Sequence, residues 1–456
     1  MTVTETAAPP VDTMTGVMQT ATSVVGLPGD PGSRLLSGPA QSGGAESLAA
    51  HQARLGALPT AVHLEELAAS GLTGRGGGNF PFVKKVQLAA SRPGTPLVVV
   101  NASESEPASR KDVTLLALRP HLVLDGAVLT ARALGAAQVV VYLHSARTQS
   151  THAVTAAVAQ RRAAGIDASV TVTVVDAPQS YLSGESSALV SVLEGRGPVP
   201  SLRRVPVAAT GVGGRPTLVS NAETYAHVAL IARFGASWFR PGGPASSPGS
   251  TLLTLAGGVR SPGLVVESVG QTSLRQVLSG PGGLVEPPRA VLIGGYAGSW
   301  VSGEAAWSLP VDRSWLAAAG TSLGCGLVAP LDSSACGLAE TARLLGYLAS
   351  QSAGQCGPCV LGLPELAERF AALVDGQGSR RQLRRISELA VSIRGRGACA
   401  HPDGAVQLAE TALGVFATEV RSHARRGTCP RRRCAATSGL PLPAGPAVAA
   451  AAVMSR

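Results

Sequence analysis

A glycine-rich segment followed by two lysines is a stretch of this sequence that could bind a charged small molecule. Residues 71–78 contain five glycines, and Lys84 and Lys85 follow them. Glycines let the backbone approach a ligand closely, and consecutive free N–H groups can hold a phosphate. The spacing matches neither a dinucleotide fingerprint nor a Walker loop. A flexible surface loop is the competing interpretation, and this segment alone does not separate the two.

A second polar cluster directly follows a hydrophobic run. Residues 98–100 are all valine, and Asn101, Glu104 and Glu106 come next. Ligands in open α/β sheets bind at the carboxyl ends of the strands. Asn101 could therefore hold a polar ring edge, and the two carboxylates could accept hydrogen bonds from ribose or amide groups. A solvated acidic loop is the alternative.

Two shorter motifs could contact a flat cofactor. Tyr181 precedes Gly184 and Glu185 at a predicted helix start, and Ser220 and Asn221 precede a second predicted helix. Taken alone, each is more simply an ordinary helix cap with an acidic first turn.

The cysteines suggest a metal or an iron–sulfur cluster. Cys356 and Cys359 form a CxxC pair, and Cys399 lies further along the chain. Two thiolates at this spacing can reach one centre, although a closed cluster usually takes four cysteines. A pair of structural thiols is the alternative. The total of seven cysteines does not resemble a secreted disulfide framework, so we expect a reducing, cytoplasmic environment.

The pattern of hydrophobic residues predicts a parallel α/β sheet in the first half of the chain. Residues 97–100, 138–143 and 170–175 are predicted strands, and residues 122–134 and 153–164 between them are predicted helices. Further helices are predicted over residues 47–57, 61–70, 186–193 and 222–234.

The remaining segments differ in character. Residues 1–30 predict a disordered lead, and residues 241–250 a Pro/Gly/Ser linker. Residues 251–334 predict a small α+β module with strands over 251–255, 263–266 and 290–293 and a helix over 273–278. Residues 335–427 show helical periodicity and predict a small bundle. Residues 428–456 form a basic tail that we expect to be disordered.

Charge and composition exclude several classes of function. The net charge of +10 comes largely from residues 421–456, which hold seven arginines and no acid, so the main body carries about +3. With only 15 aromatic residues, a nucleic-acid-binding fold is not expected. No run of about 18 apolar residues is present, so no membrane span is expected. Lysine occurs only at positions 84, 85 and 111, which makes those positions informative.

Taken in this order, the five motifs resemble the family of flavin-binding 51 kDa, or F, subunits of respiratory NADH dehydrogenase and their relatives in NAD-linked hydrogenases and formate dehydrogenases. The resemblance covers about residues 35–428. Residues 74–81 resemble the glycine loop of the family, residues 101–107 its Asn-x-Asp-Glu-x-Glu-Pro, and residues 181–187 its Tyr-x-x-Gly-Glu-Glu-Thr. Residues 219–224 resemble its Val-Asn-Asn-Val-Glu-Thr. Residues 352–359 resemble its cluster motif, with Cys399 at the position of the remote ligand.

The resemblance implies a three-part architecture and a redox function. A Rossmann-like domain for FMN and NADH would span residues 31–240, a ubiquitin-like β-grasp (SLBB) module residues 251–334, and a helical bundle with one [4Fe–4S] cluster residues 335–427. The implied activity is hydride transfer from NADH to FMN, followed by passage of single electrons to the cluster. A ferredoxin-like or membrane-bound redox partner would receive them, with the chain forming part of a complex.

The resemblance also assigns roles to individual residues. Gly74, Gly76, Gly77 and Lys85 would hold the FMN phosphate and the nucleotide. Phe80 would stack on the adenine, with Glu106 nearby. The flavin would be lined by Asn101, Glu104, Tyr181, Gly184, Glu185, Val219, Asn221 and Thr224, with Glu104 as the catalytic candidate. Cys356, Cys359 and Cys399 would ligate iron.

Five positions depart from the family pattern. Ala353 replaces the first cluster cysteine, and Ser103 and Ser186 replace an aspartate and a glutamate. Ser220 replaces one of the paired asparagines, and Asn79 replaces a glycine of the loop. Because several departures fall on the nicotinamide–adenine side, FMN binding is better preserved than NADH binding.

These departures leave alternatives open. Cys325, Cys336 and His401 are candidate replacement ligands for the cluster, although Cys325 and Cys336 are by default buried small residues. One alternative function is an electron-transfer subunit with FMN and a cluster that no longer uses NADH. The other is a non-catalytic docking scaffold whose redox sites have decayed.

Overall fold

The computed structural model describes most of the chain between residues 33 and 443. The described residues are 33–37, 44–167, 169–202, 205–240, 248–269, 272–280, 282–284, 288–332, 334–427, 429–430 and 439–443. The predicted lead over residues 1–30 lies outside them. So do residues 241–247 of the predicted linker, and Ser250 already belongs to a strand.

The first sheet has four parallel strands. They are β1 (Leu97–Ala102), β2 (Gln138–Leu143), β3 (Thr171–Asp176) and β4 (Thr217–Asn221), in the order β3-β2-β1-β4. The predicted parallel α/β sheet is confirmed. Strand β1 is central and almost entirely apolar because helices cover both faces of the sheet. Its carboxyl end lies beside that of β4, with Asn101 paired to Asn221.

Eight helices accompany this sheet among the described residues. They are α1 (Leu48–Leu55), α2 (Leu64–Ser70), α3 (Phe82–Ala90), α4 (Lys111–Leu118), α5 (Pro120–Leu134), α6 (Thr148–Ala163), α7 (Ser186–Leu193) and α8 (Ala222–Phe239). Helices α5 and α8 pack with their backbones in contact, since a Cβ at Gly126 would overlap the Tyr225 carbonyl oxygen. Helices α3 and α4 were not expected from the sequence, and both border the site described below.

The second sheet is mixed and has five strands. They are β5 (Ser250–Leu255), β6 (Val265–Val269), β7 (Ala290–Ile293), β8 (Ser299–Ser302) and β9 (Leu327–Pro330), in the order β6-β5-β9-β7-β8. Only the β5–β9 pair is parallel among these neighbours. Three short helices accompany it: α9 (Leu274–Ser279), α10 (Gly303–Ser308) and α11 (Arg313–Ala318). The sequence predicted β5, β6, β7 and α9 but not β8 or β9.

The C-terminal part is helical. Helices α12 (Gly337–Ser350), α13 (Leu363–Ala372), α14 (Arg380–Ile393), α15 (His401–Val415) and α16 (Ala417–Arg426) are joined in part by wide turns over Pro358–Gly362 and Leu373–Gln377. The periodic side chains of α13 are buried as expected, with Leu366 and Phe370 fully enclosed. The helical periodicity is interrupted at Phe416, where the backbone leaves the helical region between α15 and α16.

Part of the predicted disordered tail is packed, which corrects that expectation for residues 439–443. Leu440 is buried, and its carbonyl accepts a hydrogen bond of 2.9 Å from Arg343. The hydroxyl of Tyr296 donates to the carbonyl of Pro441. Burial of the apolar Leu440 side chain against the C-terminal helices favours this placement.

No single helix of the described residues is long and apolar enough to cross a membrane. Helices α4 and α5 pass that test of length and composition only as a pair, and they are bent by 96° relative to each other.

Candidate functional site

An open cleft with a volume of about 230 Å³ lies at the carboxyl ends of β1 and β4. In open α/β sheets this is the edge at which ligands bind. The walls come from the glycine segment, the loop after β1, the start of α4 and the loop before α7. The predicted site residues that line the cleft are Gly74, Gly76, Phe80, Lys85, Asn101, Glu104, Glu106, Gly184, Val219 and Asn221.

The glycine segment forms a closed loop that makes one wall of the cleft. Its ends are joined by hydrogen bonds from Gly74 N to Phe80 O and from Phe82 N to Leu72 O, both 2.9 Å. Gly76 lies against Asn221, where a Cβ would come within 3.3 Å of the asparagine Cβ. Any larger residue at Gly76 would therefore narrow the cleft.

Two residues of this loop adopt the left-handed backbone conformation. Gly77 has φ of +95° and lies against the backbone of Gly324, outside the cleft lining. Asn79 has φ of +50°. Glycine adopts this region freely, and asparagine is among the few other residues that tolerate it. Asn79 therefore preserves the loop conformation at a position where the family has glycine.

Lys85 is a cation without an anionic partner among the described residues. Its ammonium group donates to the carbonyl of Val219 at 3.3 Å, and no carboxylate lies within ion-pair distance. Burial lowers the pKa of Lys85. The neighbouring Lys84 is exposed on the other side of α3. A bound anion would offset the desolvation of Lys85, so this side chain is suited to a phosphate.

Lys111 is, by contrast, a buried cation that is already neutralised. Its ammonium group contacts Asp112 Oδ1 at 2.9 Å, Asn221 Oδ1 at 3.1 Å and Glu223 Oε2 at 3.0 Å. Burial by itself lowers the pKa of Lys111, but the carboxylates of Asp112 and Glu223 outweigh burial and raise it. Lys111 and Asp112 line the cleft but were not predicted site residues; the scarcity of lysine was the only signal for the former.

Glu104 has a strained backbone and a fully engaged carboxylate. Its φ is +40°, which is uncommon for a residue other than glycine. The carboxylate accepts hydrogen bonds from Ser109 Oγ at 2.6 Å, Asp112 N at 3.1 Å and Val113 N at 2.8 Å. These bonds satisfy amides at the start of α4 and stabilise the turn that precedes it. Glu104 thus lies at the cleft and at the same time fixes the helix that carries Lys111.

Asn101 and Gly184 join the two loops that flank the cleft. The Asn101 side-chain amide donates to the Gly184 carbonyl at 2.8 Å, and Ser103 Oγ donates to Asn101 Oδ1 at 2.9 Å. Gly184 N donates to Ser105 Oγ at 3.1 Å. A Cβ at Gly184 would lie 2.8 Å from Ser103 Oγ and 3.0 Å from Ser105 Oγ, so a larger residue would displace these two side chains.

Glu106 is a buried carboxylic acid at the back of the cleft. Its Oε2 accepts hydrogen bonds from Tyr181 Oη at 3.1 Å and from Tyr296 N at 3.0 Å. Its Oε1 has no hydrogen-bond partner among the described residues. Burial raises the pKa of Glu106 to about 7. A carboxyl group with such a pKa, bordering a cleft beside Cys325, can take up or release a proton near neutral pH.

Three predicted residues support the walls without lining the cleft. Glu185 caps α7, accepting bonds of 2.9 Å from the amides of Ser187 and Ala188. Thr224 Oγ1 accepts a bond of 2.9 Å from Arg75 N in the glycine segment. Tyr181 reaches the cleft only through its hydrogen bond to Glu106.

Cys356, Cys359 and Cys399 lie together in the helical part. Cys359 is buried, and burial together with the neighbouring Cys356 and Cys399 raises its pKa to about 12. Among the described residues, the three sulfur atoms are not all within 4.8 Å of one another. Such spacing suits a cluster better than a single ion, because each thiolate of a cluster binds a different iron. Ala353 offers no ligand, and the nearby Ser352 hydroxyl contacts the Cys359 thiol.

Aromatic rings connect the cleft to these cysteines. The Tyr181 ring lies 5.5 Å from the His401 ring and 5.9 Å from the Tyr347 ring, measured between centroids. His401 Nε2 lies 2.8 Å from the Leu348 carbonyl oxygen, and the His401 backbone contacts Cys399. The other candidate replacement ligands lie elsewhere, Cys325 at the cleft and Cys336 beside His423.

Two family models match the sequence. The Nuo51 FMN-binding domain matches residues 67–230, which include both loops and both strand ends of the cleft. The NADH-ubiquinone oxidoreductase-F iron-sulfur binding region matches residues 339–423, which include the three cysteines.

Individual relatives agree with these models. The NADH-quinone oxidoreductase F subunit of Streptomyces coelicolor is 33% identical over 372 residues, or 79% of this chain and 82% of that protein. The corresponding F subunit of Mycobacterium bovis is 32% identical over 384 residues, or 79% and 84%. A crystal structure of NAD⁺-reducing [NiFe]-hydrogenase in the H₂-reduced state superposes with a TM-score of 0.74 at 27% identity, covering 80% of this chain and 62% of the hydrogenase chain. The chain therefore belongs to the family of NADH-quinone oxidoreductase F subunits.

Proposed function

We propose that this chain is an NADH-oxidising electron-transfer subunit that binds FMN in the cleft and an iron–sulfur cluster at Cys356, Cys359 and Cys399. The observation that carries the proposal is the half-buried ammonium of Lys85, which faces a glycine-lined cleft and has no carboxylate partner among the described residues. Bound FMN would supply the chemistry, because a flavin can accept a hydride and then give up its two electrons one at a time while the proton is released.

The residues of the cleft fit FMN. The wall formed by Gly74, Gly76 and Gly78 leaves room for a phosphate beside Lys85, and nothing in the described residues lies within 4 Å of a Cβ placed at Gly78. Asn101, Val219 and Asn221 face the volume that a flat ring would occupy. Phe80 is 47% exposed at the rim, which makes it available to stack on an adenine.

The protein's own groups would position the cofactor and handle protons. Lys85 binds the phosphate through charge. Lys111 stays charged through its carboxylate partners and holds the strand ends together. Glu106 would hold a proton at the cleft and is connected through Tyr181 to the helical part. Glu104, the predicted catalytic residue, acts in this proposal by fixing the turn and α4.

The cluster site fits in part. Three thiols are available, and Ala353 supplies no fourth ligand, so one iron of a [4Fe–4S] cluster would take a ligand that is not cysteine. The ring contacts of Tyr181 with His401 give a short, packed connection between the cleft and Cys399. Deprotonation of the buried Cys359 thiol, whose pKa is raised, would accompany iron binding.

We further infer a β-grasp (SLBB) module in the second sheet, an iron–sulfur-binding bundle in the C-terminal helices, and operation within a complex. The mixed order of β5 to β9 with a short helix supports the first inference. The relatives are named as subunits, which supports the last. A ferredoxin-like or membrane-bound redox partner would accept the electrons.

Substitution of Lys85 tests the proposal, and the same substitution at the neighbouring Lys84 is the control. Lys85→Met keeps the aliphatic stem but removes the charge, and Lys84→Met does the same one residue earlier on the exposed face of α3. Because a hydrogen bond to a charged group contributes about 1.5–3 kcal/mol, we expect Lys85→Met to weaken FMN binding about 10- to 100-fold. Lys84→Met should bind FMN like the unsubstituted protein. Fluorescence titration of FMN into the flavin-free protein measures both, and equal affinities in the two variants would contradict the proposal.

A second function is favoured by one feature of the cleft. Ser103 and Ser186 line it at positions where the family carries carboxylates. A cleft that has lost these groups could retain FMN and the cluster while exchanging electrons with a partner other than NADH. Anaerobic addition of micromolar NADH to the FMN-loaded protein separates the two functions. Bleaching of the flavin absorbance supports NADH oxidation, and an unchanged spectrum favours the carrier.

A further inference from the structure

A group of three soft ligands lies outside the proposed redox sites. Within the described part of the chain, Cys336, His423 and Cys429 are the one set of three or more histidine, cysteine or acidic residues whose ligand atoms all lie within 4.8 Å of one another. We propose that these three side chains bind a single Zn²⁺ ion.

The geometry is that of one ion rather than of a cluster. Tetrahedral zinc with Zn–S bonds of about 2.3 Å and Zn–N bonds of about 2.0–2.1 Å places sulfur and nitrogen about 3.6 Å apart. Cys336 Sγ and His423 Nε2 are 3.7 Å apart. Little movement is therefore needed for both atoms to bind one ion, whereas Cys356, Cys359 and Cys399 are spaced more widely.

The surroundings are those of a built site. Cys336 and His423 are buried, and Cys429 is partly buried against the same hydrophobic cluster. Cys336 and Cys429 are in sulfur–sulfur contact.

Ligand chemistry favours zinc among the common ions. Two thiolates and an imidazole are a soft and borderline set, which excludes Mg²⁺ and Ca²⁺. Binding releases one proton from each thiol, and the histidine binds as the neutral ring. Three protein ligands leave the fourth position to water.

The ion would link the start of α12 to the end of α16 and so stabilise the C-terminal helices. Cys336 immediately precedes α12, His423 lies in α16, and Cys429 lies just after it. One ion thus joins positions that are 87 and 93 residues apart along the chain. Linking ends so distant in sequence lowers the entropy of the unfolded chain and stabilises the folded bundle.

Metal analysis of the full-length protein tests the proposal. The protein is isolated under anaerobic conditions with reductant, then equilibrated with micromolar Zn²⁺ and dialysed. We expect one zinc per chain in the unsubstituted protein and in Cys356→Ser, which removes a proposed cluster ligand. In Cys429→Ser we expect zinc affinity to fall by about 100-fold or more, because loss of a direct ligand exceeds the 10- to 100-fold cost of losing an outer contact.

Several outcomes would overturn the zinc site. These are absence of bound zinc at micromolar Zn²⁺, equal zinc in Cys429→Ser, and zinc lost in Cys356→Ser but kept in Cys429→Ser. A Cys336–Cys429 disulfide that persists in reduced, zinc-free protein would do so as well.

Cobalt gives an independent measurement should Cys429→Ser fail to fold. Co²⁺ added to the zinc-free Cys356→Ser protein should produce the strong near-ultraviolet absorption of thiolate-bound cobalt and the visible bands of a tetrahedral site. Added Zn²⁺ should remove both. If neither absorption appears, the site does not exist as proposed.

Discussion

Glu106 is the residue whose protonation should change most visibly with pH. Burial raises its pKa to about 7, whereas the same carboxyl in the unfolded chain titrates near 4.5. Between these values the folded protein holds a proton that the unfolded chain has released. Stability therefore falls as pH rises from about 4.5 to 7 and levels off above that range.

Glu106→Gln should remove this part of the pH dependence. Glutamine stays neutral, so the stability of the variant relative to the unsubstituted protein should rise by about 3 kcal/mol from pH 4.5 to pH 7. Thermal unfolding of the ligand-free protein, followed by circular dichroism across this range, measures the difference. The control is Glu365→Gln at the bundle surface, which should follow the unsubstituted protein. If the stability of Glu106→Gln and that of Glu365→Gln changed with pH in the same way, the raised pKa of Glu106 would be contradicted.

Site residues that belong to one sequence motif could be predicted, whereas site residues that only the fold brings together could not. Asn101, Gly184 and Lys85 could be found because each belongs to a segment with an unusual composition, and all three line the cleft. Cys336 was considered only as a replacement ligand for the cluster, and its contact with His423 was not predicted, since the two residues are 87 positions apart along the chain. Contacts between distant residues depend on the tertiary fold, which local spacing does not encode.

The packing of two helices beside the first sheet depends on the absence of a side chain at one glycine. Gly126 of α5 lies against the carbonyl of Tyr225 in α8, so a Cβ at this position would force the two backbones apart. Gly346, in α12, has no atom within 4 Å of the position of a Cβ. Both glycines lie within helices, so replacement by alanine raises the intrinsic helix propensity equally at the two positions. Only at Gly126 does the added methyl group also disturb packing.

Gly126→Ala should destabilise the protein by about 3 kcal/mol or more. The new methyl group would overlap backbone atoms of Tyr225, and no flexible side chain can move aside to relieve the overlap. Gly346→Ala should stabilise it by about 0.5–1 kcal/mol, the usual gain of replacing glycine by alanine in a helix. Denaturant unfolding of both variants under the same conditions measures the difference. Equal stability of the two would mean that α5 and α8 do not approach as closely as described.

Helices and strands that contain a clear run of hydrophobic residues were predicted from the sequence. Those whose position depends on contacts with other parts of the chain were not. Strand β2 was predicted with its observed bounds. The predicted β1 lacked only the last two residues, Asn101 and Ala102, which are less typical of a strand. Strands β8 and β9 have four residues each, as β7 does, but each contains only one β-branched residue and β9 ends in proline, so neither has a clear strand signal. Helix α4 begins at Lys111, where Glu104 accepts hydrogen bonds from the amides of Asp112 and Val113, and periodicity does not reveal contacts across eight and nine positions.

Over the whole molecule, buried charged groups join parts that the sequence predicted only as separate segments. Glu106 connects β1 to Tyr296 near the second sheet and to Tyr181 beside the bundle. Glu267 of β6 accepts hydrogen bonds from the backbone of residues 34–36. The order of the parts could be predicted from composition and motifs. Their mutual packing could not, since it rests on single carboxylates whose partners lie far away in sequence.

Glu223 gives the clearest test of that connection. Its Oε2 contacts Lys111 at 3.0 Å at the edge of the first sheet, and its Oε1 accepts a bond of 3.0 Å from Leu252 N in the second sheet. The side chain is fully buried. Glu223→Ala would leave a buried ammonium with one carboxylate fewer and a buried amide without an acceptor.

We expect Glu223→Ala to lower the free energy of unfolding by about 3–5 kcal/mol, the usual effect of removing one partner from a buried ion pair. The matched control is Glu410→Ala, which removes one partner of the exposed Arg394–Glu410 pair and should cost at most about 1 kcal/mol. Because Glu223 joins the two sheets, its loss should also separate their unfolding, so calorimetry should resolve two transitions where the unsubstituted protein gives one. A single transition with the stability of Glu410→Ala would show that the sheets are held together without this carboxylate.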